Sequence, residues 1–337
     1  MKIIIERNSR EKYYALLKKV FDSGFLSEGA MVRRFEEQFG KFVHLKATAV
    51  SSAGAGLLAL LAYADVKGKD VIVPTNTFMA TPLAVAWAGG RVVFADINKE
   101  DLSLSVKSLE GAITKNTKAV IVVHIGGHIA FDIFEIARLC KERNLVLIED
   151  CAHAHGAEYK NRCAGSFGLG GAYSFYGTKT MPLGEGGTVV SRYEKVIRFV
   201  EKFRNYGKFD YRVKGFNFRM NEITAAFGLI QLERLPAILR WKRGLAKKFD
   251  LIFENRVYLP PHMLSGYYKY IVFDTELREE TGRVFDRLCH EIMAKDGNFP
   301  NASWVKCHHR CAPIYYGWDN ASKSIEELRS LLIKIRK

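Results

Sequence analysis

The feature that most restricts the fold is an alternation of short apolar runs with helical segments through the first half of the chain. The β-prone runs are 47–50, 70–73, 91–95, 118–123, 145–148, 171–176 and 187–191. The helical segments between the first of these runs are 55–66, 78–88, 104–112 and 132–143. Continuous apolar strands separated by helices are typical of a parallel sheet that is buried on both faces. The pattern therefore predicts an α/β protein.

Helices are also predicted outside this alternation. Their spacing of apolar residues places them at 11–22, 29–42, 193–205 and 220–254. Ser9 is the predicted N-cap of the first helix and Gly24 its stop. A chain of 337 residues can form one large and one smaller domain. We predict a large domain over 1–235 and a small C-terminal domain over 236–337, with the N-terminal helix packing on the small domain.

Composition narrows the class of protein without identifying a partner. The 51 basic and 36 acidic residues give a net charge of +15, which favours anionic ligands. The densest basic stretches, Lys195 to Lys214 and Arg240 to Lys248, contain apolar residues at helical spacing and are interpreted as mostly solvated helix faces. The six cysteines lack the spacing of a disulfide framework, and no apolar run reaches the ~18 residues of a membrane helix. We expect a cytoplasmic protein that binds neither nucleic acid nor membrane.

Residues capable of chemistry follow the predicted strands at their carboxyl ends. They are Ser51, Ser52, Pro74 to Phe78, His124, Glu149, Asp150 and Lys179. Ligands of open α/β sheets bind beyond the carboxyl ends of the strands. The clustering therefore predicts one composite active site at this edge of the sheet.

Two of these residues suggest a specific chemistry. Lys179 lies in the glycine-rich stretch SFYGTKTMPLGEGG, where it is either a solvated loop lysine or a covalent catalyst whose amine condenses with a carbonyl. Asp150 ends the run LVLIED and is either an N-cap or a partner for a protonated pyridine nitrogen. Because neighbours on a strand point to opposite faces, one of Glu149 and Asp150 is expected to be structural.

Six stretches carry a family resemblance. They are FLSEGAMVRRFEEQFGKF (25–42), VPTNTFMATPLAVAWAGGRVVFADI (73–97), ITKNTKAVIVVHIGGHIAFDI (113–133), EDCAHAHGA (149–157), SFYGTKTMPLGEGG (174–187) and GFNFRMNEITAAFGLIQLERL (215–235). In order and spacing they resemble the sugar aminotransferases of the DegT/DnrJ/EryC1/StrS family over about residues 20–250. The resemblance implies the type I aminotransferase fold, in which a large, mixed, mostly parallel sheet domain is followed by a smaller C-terminal α+β domain.

The resemblance also implies pyridoxal 5'-phosphate (PLP) as cofactor. Lys179 matches the lysine that forms the Schiff base, and Asp150 matches the aspartate on the pyridine nitrogen. His153 falls where the family has Gln or His close to the cofactor ring, although a structural histidine is the alternative. Phe78 matches an aromatic residue that packs on the ring, and a core phenylalanine is the alternative there.

Further matches concern the cofactor phosphate. Ser174 matches the phosphate-binding serine, and the backbone N–H groups of Ala53 and Gly54 begin a predicted helix, where phosphates bind readily. The family usually shows Ser-Gly-Thr where this chain has Ser52, Ala53 and Gly54, so the threonine hydroxyl is missing. Asn217 matches an asparagine that reaches the phosphate from the neighbouring subunit, which implies a homodimer.

The implied reaction is transfer of an amino group from an amino acid, by resemblance glutamate or glutamine, to a keto-sugar that is linked to a nucleotide. The cofactor would pass through pyridoxamine phosphate. The family also contains dehydratases in which histidine replaces the Schiff-base lysine, so Lys179 favours transamination. Its amine could carry the proton between substrate and cofactor.

Other classes of protein remain open from the residues alone. A non-catalytic ligand-binding or regulatory protein could share the fold. A dinucleotide-dependent oxidoreductase needs G-x-G-x-x-G, which SSAGAGLLA does not supply. A nucleic-acid binder would rest on charge alone. The segment CHHRCAPIYYG places Cys307, His308, His309 and Cys311 together, but adjacent histidines suit joint metal ligation poorly. We expect no metal there, and a structural or substrate-side role instead.

Overall fold

The structure is a computed structural model that describes residues 4–273, 277–278 and 282–333. The helices are α1 (Arg7–Ser23), α2 (Ala30–Val43), α3 (Ala53–Ala64), α4 (Ala80–Trp87), α5 (Val106–Ala112), α6 (Ile133–Glu142), α7 (Glu194–Phe203), α8 (Glu222–Asp250), α9 (Cys289–Ile292), α10 (Pro300–His308) and α11 (Ile325–Leu332). The strands are β1 (Lys46–Val50), β2 (Asp70–Pro74), β3 (Arg91–Ala95), β4 (Thr117–Val123), β5 (Val146–Asp150), β6 (Glu158–Tyr159), β7 (Arg162–Cys163), β8 (Gly170–Ser174), β9 (Gly187–Ser191), β10 (Met263–Leu264), β11 (Tyr270–Phe273) and β12 (His309–Ala312).

The central sheet has seven strands in the order β1-β9-β8-β5-β4-β2-β3. Strands β3, β2, β4, β5 and β8 run parallel to one another, whereas β9 is antiparallel to both β8 and β1. The predicted mixed, mostly parallel sheet is confirmed. Its central strands are buried along most of their length and rich in valine and isoleucine, as expected for a sheet covered on both faces.

Helices cover both faces of the sheet and form a separate apolar cluster on each. One cluster joins α2 and α8 to the sheet through residues such as Phe35, Phe39 and Leu229. The other joins α3 and α7 to the opposite face through residues such as Leu57 and Val196. Both faces of the sheet are therefore covered by helices, and the carboxyl ends of the parallel strands lie at an edge between these two helical layers.

Helix α8 links the sheet to the C-terminal part of the chain. It has 29 residues, contains Pro236 and runs across the predicted domain boundary at 235/236. Its second half buries Leu245 and Phe249 in a cluster with the C-terminal helix α11, next to the antiparallel pair β11–β12. Helix α1 packs along the first half of α8, where the ring centroids of Tyr13 and Phe227 lie 5.1 Å apart. The division into two domains at residue 235 stays a prediction.

The start of α2 is capped from a distant part of the chain. The Glu222 carboxylate accepts hydrogen bonds from the backbone N–H groups of Gly29 (3.0 Å), Met31 (2.9 Å) and Val32 (2.8 Å). These are donors that the first turn of a helix leaves unpaired. The first residue of α8 therefore fixes the N-terminus of α2.

Two smaller predictions have different outcomes. Helix α1 begins at Arg7 after Glu6, so the proposed Ser9 cap is wrong, whereas Gly24 ends the helix with a φ of 67° as predicted.

All six cysteines are free thiols. Within the described part of the chain, we find no helix whose length and apolar character would let it cross a membrane.

Candidate active site

The carboxyl edge of β5 and β8 brings the predicted site residues together. Asp150 ends β5 and pairs in register with Ala172 of β8, and Ser174 ends β8. Lys179 follows in a tight turn, in which its backbone N–H donates to the Tyr176 carbonyl over 2.9 Å. The lysine and the aspartate are close enough for each to influence the pKa of the other.

Asp150 is buried and held by two donors. Its Oδ2 accepts a hydrogen bond from the Thr81 hydroxyl over 2.8 Å, and its Oδ1 accepts one from the Ala152 N–H over 3.0 Å. The Thr81 and Thr77 hydroxyls are themselves 2.7 Å apart. Burial raises the pKa of Asp150, while both donors and the charge of Lys179 oppose the rise. Sequence reasoning missed Thr81, because a threonine inside a helix gives no sign of its distant partner.

Glu149 faces the other side of the sheet, so it is the structural member of the pair. Its carboxylate accepts hydrogen bonds from the N–H groups of Gly165 (2.6 Å), Phe167 (2.7 Å) and Gly168 (2.8 Å). Every one of these donors belongs to the loop between β7 and β8. The prediction that only one of Glu149 and Asp150 faces the site agrees with this arrangement.

His124 also belongs to this structural side. Its Nδ1 accepts a hydrogen bond from the Ala130 N–H over 3.1 Å, so Nε2 carries the hydrogen and donates to Glu149 over 3.0 Å. Together with Cys151, these two residues place ligand-type atoms within 4.8 Å of one another. Because the histidine nitrogens and the carboxylate already have partners, the cluster braces the loop. The expectation that His124 joins the composite site is wrong.

Lys179 combines a perturbed amine with an aromatic neighbour. Burial lowers its pKa to about 8; the Asp150 carboxylate opposes this and Lys269 adds to it. Its Nζ lies 4.7 Å from the centroid of the Tyr268 ring. With a pKa of about 8, roughly a tenth of the amine is in the neutral, nucleophilic form at pH 7, far more than for a free lysine of pKa about 10.4.

His153 stacks against the same tyrosine. The two ring centroids are 4.1 Å apart with an interplanar angle of 25°. Burial, followed by the charge of Lys179, holds the pKa of His153 well below its usual value, so the ring is neutral. Its Nδ1 is buried and has no hydrogen-bond partner among the described residues. The Tyr268 hydroxyl lies 3.2 Å from that of Thr178. Tyr268 was missed because the resemblance ends before it.

Phe78 lies in the turn after β2 and is 79% exposed. The alternative reading as a core phenylalanine is therefore wrong. The turn is anchored by α9 of the C-terminal part, where Cys289 Sγ donates to the Thr77 carbonyl over 2.9 Å. Nearby, the Thr75 hydroxyl and His290 Nδ1 are 2.6 Å apart. The exposed ring is thus presented by a fixed piece of backbone.

The start of α3 and the end of β8 form a small cradle. Ser52 caps α3 by accepting from the Ala55 N–H over 3.1 Å, which leaves the N–H groups of Ala53 and Gly54 at the open helix end. Ser174 pairs in register with Gly187, and a Cβ at Gly187 would lie 2.4 Å from the Ser52 carbonyl carbon. This close approach of the backbones brings the end of β8 next to the N-terminus of α3, which is a typical place for binding a phosphate.

Asn217, like Phe78, is a predicted site residue that lies on an exposed surface. It forms an isolated backbone bridge with Asn205 and follows Phe216, which is 49% exposed. Another aromatic residue of this region, Phe209, is 89% exposed. The arrangement presents Asn217 outward from its own chain.

A cavity of about 450 Å³ opens beside Lys179. Its lining includes Lys242, Tyr268, Lys269, Tyr315 and Tyr316. The segment CHHRCAPIYYG (307–317) lines the cavity through Ile314, Tyr315 and Tyr316, which agrees with the expected substrate-side position, whereas residues 307–311 do not line it. Lys242 is 5% exposed, so the interpretation of its basic stretch as a solvated helix face is wrong at this residue.

The segment 307–311 is structural in the described chain. His309 Nε2 accepts a hydrogen bond from the Val284 N–H over 3.0 Å, so its Nδ1 carries the hydrogen and donates to the Val305 carbonyl over 2.6 Å. Burial lowers the pKa of His309 to about 4. His308 stacks on Trp304 at 4.3 Å between centroids. Both histidines therefore brace α10 and its neighbours.

The chain has the fold of the PLP-dependent sugar aminotransferases, with a lysine and a buried aspartate at one edge of its mixed sheet. The chain belongs to the DegT/DnrJ/EryC1/StrS aminotransferase family, whose sequence profile matches residues 7–302. It is 38% identical over 294 residues to GDP-perosamine synthase of Escherichia coli O157:H7, covering 84% of this chain and 80% of the relative. It is an aminotransferase, as the resemblance implied.

Other similar proteins agree. The dTDP-3-amino-3,4,6-trideoxy-alpha-D-glucose transaminase of Micromonospora megalomicea subsp. nigra is 34% identical, covering 69% of this chain and 64% of the relative. Among solved structures, DesV of S. venezuelae superposes with a TM-score of 0.88 at 27% identity, covering 96% of this chain and 95% of DesV. DesI, solved with its TDP-sugar product, gives a TM-score of 0.83 at 28% identity over 96% of this chain and 88% of DesI.

Proposed function

We propose that this chain is a PLP-dependent aminotransferase that moves an amino group from an amino acid, by preference glutamate, to a nucleotide-linked keto-sugar. The observation that carries the proposal is the Lys179 amine, which opens on the cavity near buried Asp150 with a pKa lowered to about 8. A solvated loop lysine would have neither the burial nor the nearby carboxylate.

The described residues fit the cofactor. The orphaned Nδ1 of His153 and the cradle of Ser174, Ala53 and Gly54 are polar groups that suit a ring substituent and a phosphate. Lys179 would hold the aldehyde carbon, and Asp150 would hold the proton of the ring nitrogen. Phe78 would pack on the cofactor ring, and Asn217 of the neighbouring subunit would reach the phosphate. PLP supplies an aldehyde that exchanges amines and a ring that withdraws electrons.

Different residues of the chain would have different roles in the reaction. Thr81 and Ala152 donate to the Asp150 carboxylate and so favour its charged form, against the rise in pKa that burial causes, which suits a carboxylate opposite the ring nitrogen. Lys179 removes a proton from the substrate carbon and returns one, which its lowered pKa allows near neutral pH. Tyr268 lines the cavity and stacks on His153, so the two rings hold each other in place beside Lys179.

The sugar substrate is supported by the relatives. GDP-perosamine synthases and a dTDP-amino-sugar transaminase are similar over most of this chain, and DesI was solved with a TDP-sugar product. The net charge of +15 suits a diphosphate-bearing substrate. We therefore propose a nucleotide-linked keto-sugar as amino acceptor.

We also propose a homodimer in which Asn217 of one subunit completes the phosphate site of the other. Asn217 is exposed on its own chain and lies among exposed aromatic residues such as Phe209 and Phe216. Exposed aromatic clusters of this kind are typical of protein interfaces. Sedimentation of the purified protein tests whether it is a dimer. Asn217→Ala should weaken PLP binding while the dimer stays intact.

The central test is covalent attachment of the cofactor. Purified protein should be yellow, and borohydride should fix the chromophore to the peptide that contains Lys179. Adding L-glutamate before reduction should bleach the colour and prevent the attachment. Lys179→Met is the variant and Lys160→Met, at an exposed loop position, is the matched control. A colourless protein that takes up no PLP would favour a ligand sensor of the same fold.

A further inference from the structure

Lys242 is a buried lysine for which the proposed function has no role. It lies on α8, is 5% exposed and lines the cavity that contains Lys179. Its Nζ donates a hydrogen bond to the Tyr267 carbonyl over 2.9 Å. An ammonium group has three donors, so this bond leaves capacity toward the cavity. Within 4–273, 277–278 and 282–333, no carboxylate forms an ion pair with Lys242.

Such a lysine is costly to bury. Removing an ammonium group from water without an opposite charge is unfavourable, and the cost appears as a lowered pKa. Burial lowers the pKa of Lys242 to about 7, and the nearby charge of Lys269 acts in the same direction. An anion entering the cavity would relieve both effects, because it would compensate the buried charge and the repulsion.

Two other cations, Arg234 and Lys269, line the same cavity. The Arg234 guanidinium donates to the Ile4 carbonyl over 2.6 Å and pairs with Glu6 over 2.7 Å. Lys269 lies beside Lys179 and Lys242 and lowers the pKa of each of them. The cavity thus holds a cluster of positive charge next to the amine that performs the proposed chemistry.

We propose that Lys242, assisted by Lys269, forms an oxyanion subsite that positions the substrate for reaction at Lys179. This inference rests on the proposed function. The oxyanion is either a carboxylate of the amino donor or the diphosphate of the sugar nucleotide, since both carry the same kind of oxygen. Tyr315 and Tyr316 line the same cavity and supply an aromatic wall for the uncharged part of the substrate.

The test compares two ligands on PLP-loaded enzyme. The affinity for L-glutamate is obtained from the concentration dependence of chromophore bleaching, and the affinities for GDP and dTDP are obtained by calorimetry. Lys242→Met removes the charge and keeps an unbranched, flexible side chain that is one atom shorter. Lys247→Met, at an exposed position of the same helix, is the matched control.

We expect Lys242→Met to weaken binding of at least one ligand about tenfold or more while the maximal rate of bleaching changes less. Weaker binding of glutamate alone assigns the donor carboxylate; weaker binding of GDP or dTDP alone assigns the diphosphate. Weaker binding of both assigns a shared subsite. Should Lys242→Met fail to fold, Lys269→Met is measured in the same way.

The inference is overturned if PLP-loaded variants bind all ligands as the wild type does, or if the wild-type holoenzyme binds none of them. The first result leaves the proposed function standing, because that function depends on uptake of PLP at Lys179, whereas the second also contradicts glutamate as the amino donor. An enzyme that takes up no PLP would instead contradict the proposed function itself. The absorbance of the loaded protein therefore separates the two failures.

Discussion

The hydroxyl of Thr81 donates a hydrogen bond to the carboxylate of Asp150 over 2.8 Å, and neither residue is exposed by more than 5%. Thr81 lies in the first turn of α4, whereas Asp150 ends β5. The bond therefore fixes the direction of the aspartate from a neighbouring βα unit. The Thr77 hydroxyl lies 2.7 Å from that of Thr81, so the series of hydrogen bonds from Asp150 extends to the turn that carries Phe78.

Thr81→Val keeps the shape of the side chain and removes the donor. We expect PLP to bind at least roughly tenfold more weakly, because a buried hydrogen bond to a charged group contributes ~1.5–3 kcal/mol. Absorbance titration of the apo-protein with PLP measures the effect. Thr77→Val, which removes only the outer bond of the chain, should have a smaller effect. Equal affinity in wild type and Thr81→Val would show that the bond does not orient Asp150.

Gly54→Thr should tighten PLP binding. A Cβ at Gly54 would meet only Ala80 Cβ at 3.6 Å and Ser52 Oγ at 3.8 Å, which are ordinary contacts. The added hydroxyl would supply a donor beside the open N–H groups of α3 and contribute about 1 kcal/mol, or roughly fivefold in affinity. Gly54→Ala is the matched control, because it stiffens the helix without adding a donor. Similar affinities for the two variants would contradict a phosphate at this position.

Asp150→Asn should stabilise the apo-protein and impair the enzyme. Burial raises the pKa of Asp150, so the folded state binds its proton more tightly than the unfolded state. Stability of the wild-type apo-protein therefore falls as pH rises from the unfolded pKa to the raised one. Asparagine does not titrate, so it removes this loss of stability. The apo-protein with Asp150→Asn should therefore have a higher melting temperature at neutral pH than the wild-type apo-protein. Turnover should fall at least about tenfold, since a charged hydrogen bond contributes ~1.5–3 kcal/mol. Asp296→Asn, at an exposed position, should change neither.

Capture of PLP by the apo-enzyme should depend on pH through Lys179. Its pKa is lowered to about 8, so the neutral amine increases about tenfold per pH unit below that value and levels off above it. Stopped-flow absorbance at several pH values measures the rate of colour formation. Lys269→Met removes a nearby positive charge, so the midpoint should move to higher pH. A wild-type midpoint near that of free lysine, about 10.4, would contradict the buried amine.

Glu222→Gln should destabilise the fold more than it affects chemistry. The carboxylate accepts three backbone N–H groups at the start of α2, and an amide would direct its own hydrogens at some of them. We expect a loss of about 2–3 kcal/mol in the free energy of unfolding, measured by urea denaturation. Glu233→Gln on the same helix removes an exposed ion pair with Lys12 and should cost less than about 1 kcal/mol. Equal losses would show that the cap is not needed.

Much of the architecture could be predicted from local patterns. The apolar runs at 70–73 and 118–123 became adjacent parallel strands, because β-branched residues without polar alternation suit a sheet covered on both faces. Glycine ended α1 at Gly24 for an equally local reason, since the residue there adopts a φ of 67°. The antiparallel direction of β9 was not predictable, because strand direction depends on the path of the chain between strands.

The sequence by itself determined the family, the sheet and the candidate pair of Lys179 and Asp150, because each of these follows from residues close together in the chain. Tertiary structure alone decided which partners those residues have. Thr81 on Asp150, Tyr268 on Lys179 and Lys242 in the cavity are contacts between segments far apart in sequence. Such contacts depend on how helices and loops are packed against the sheet, and burial then sets the pKa of each lysine.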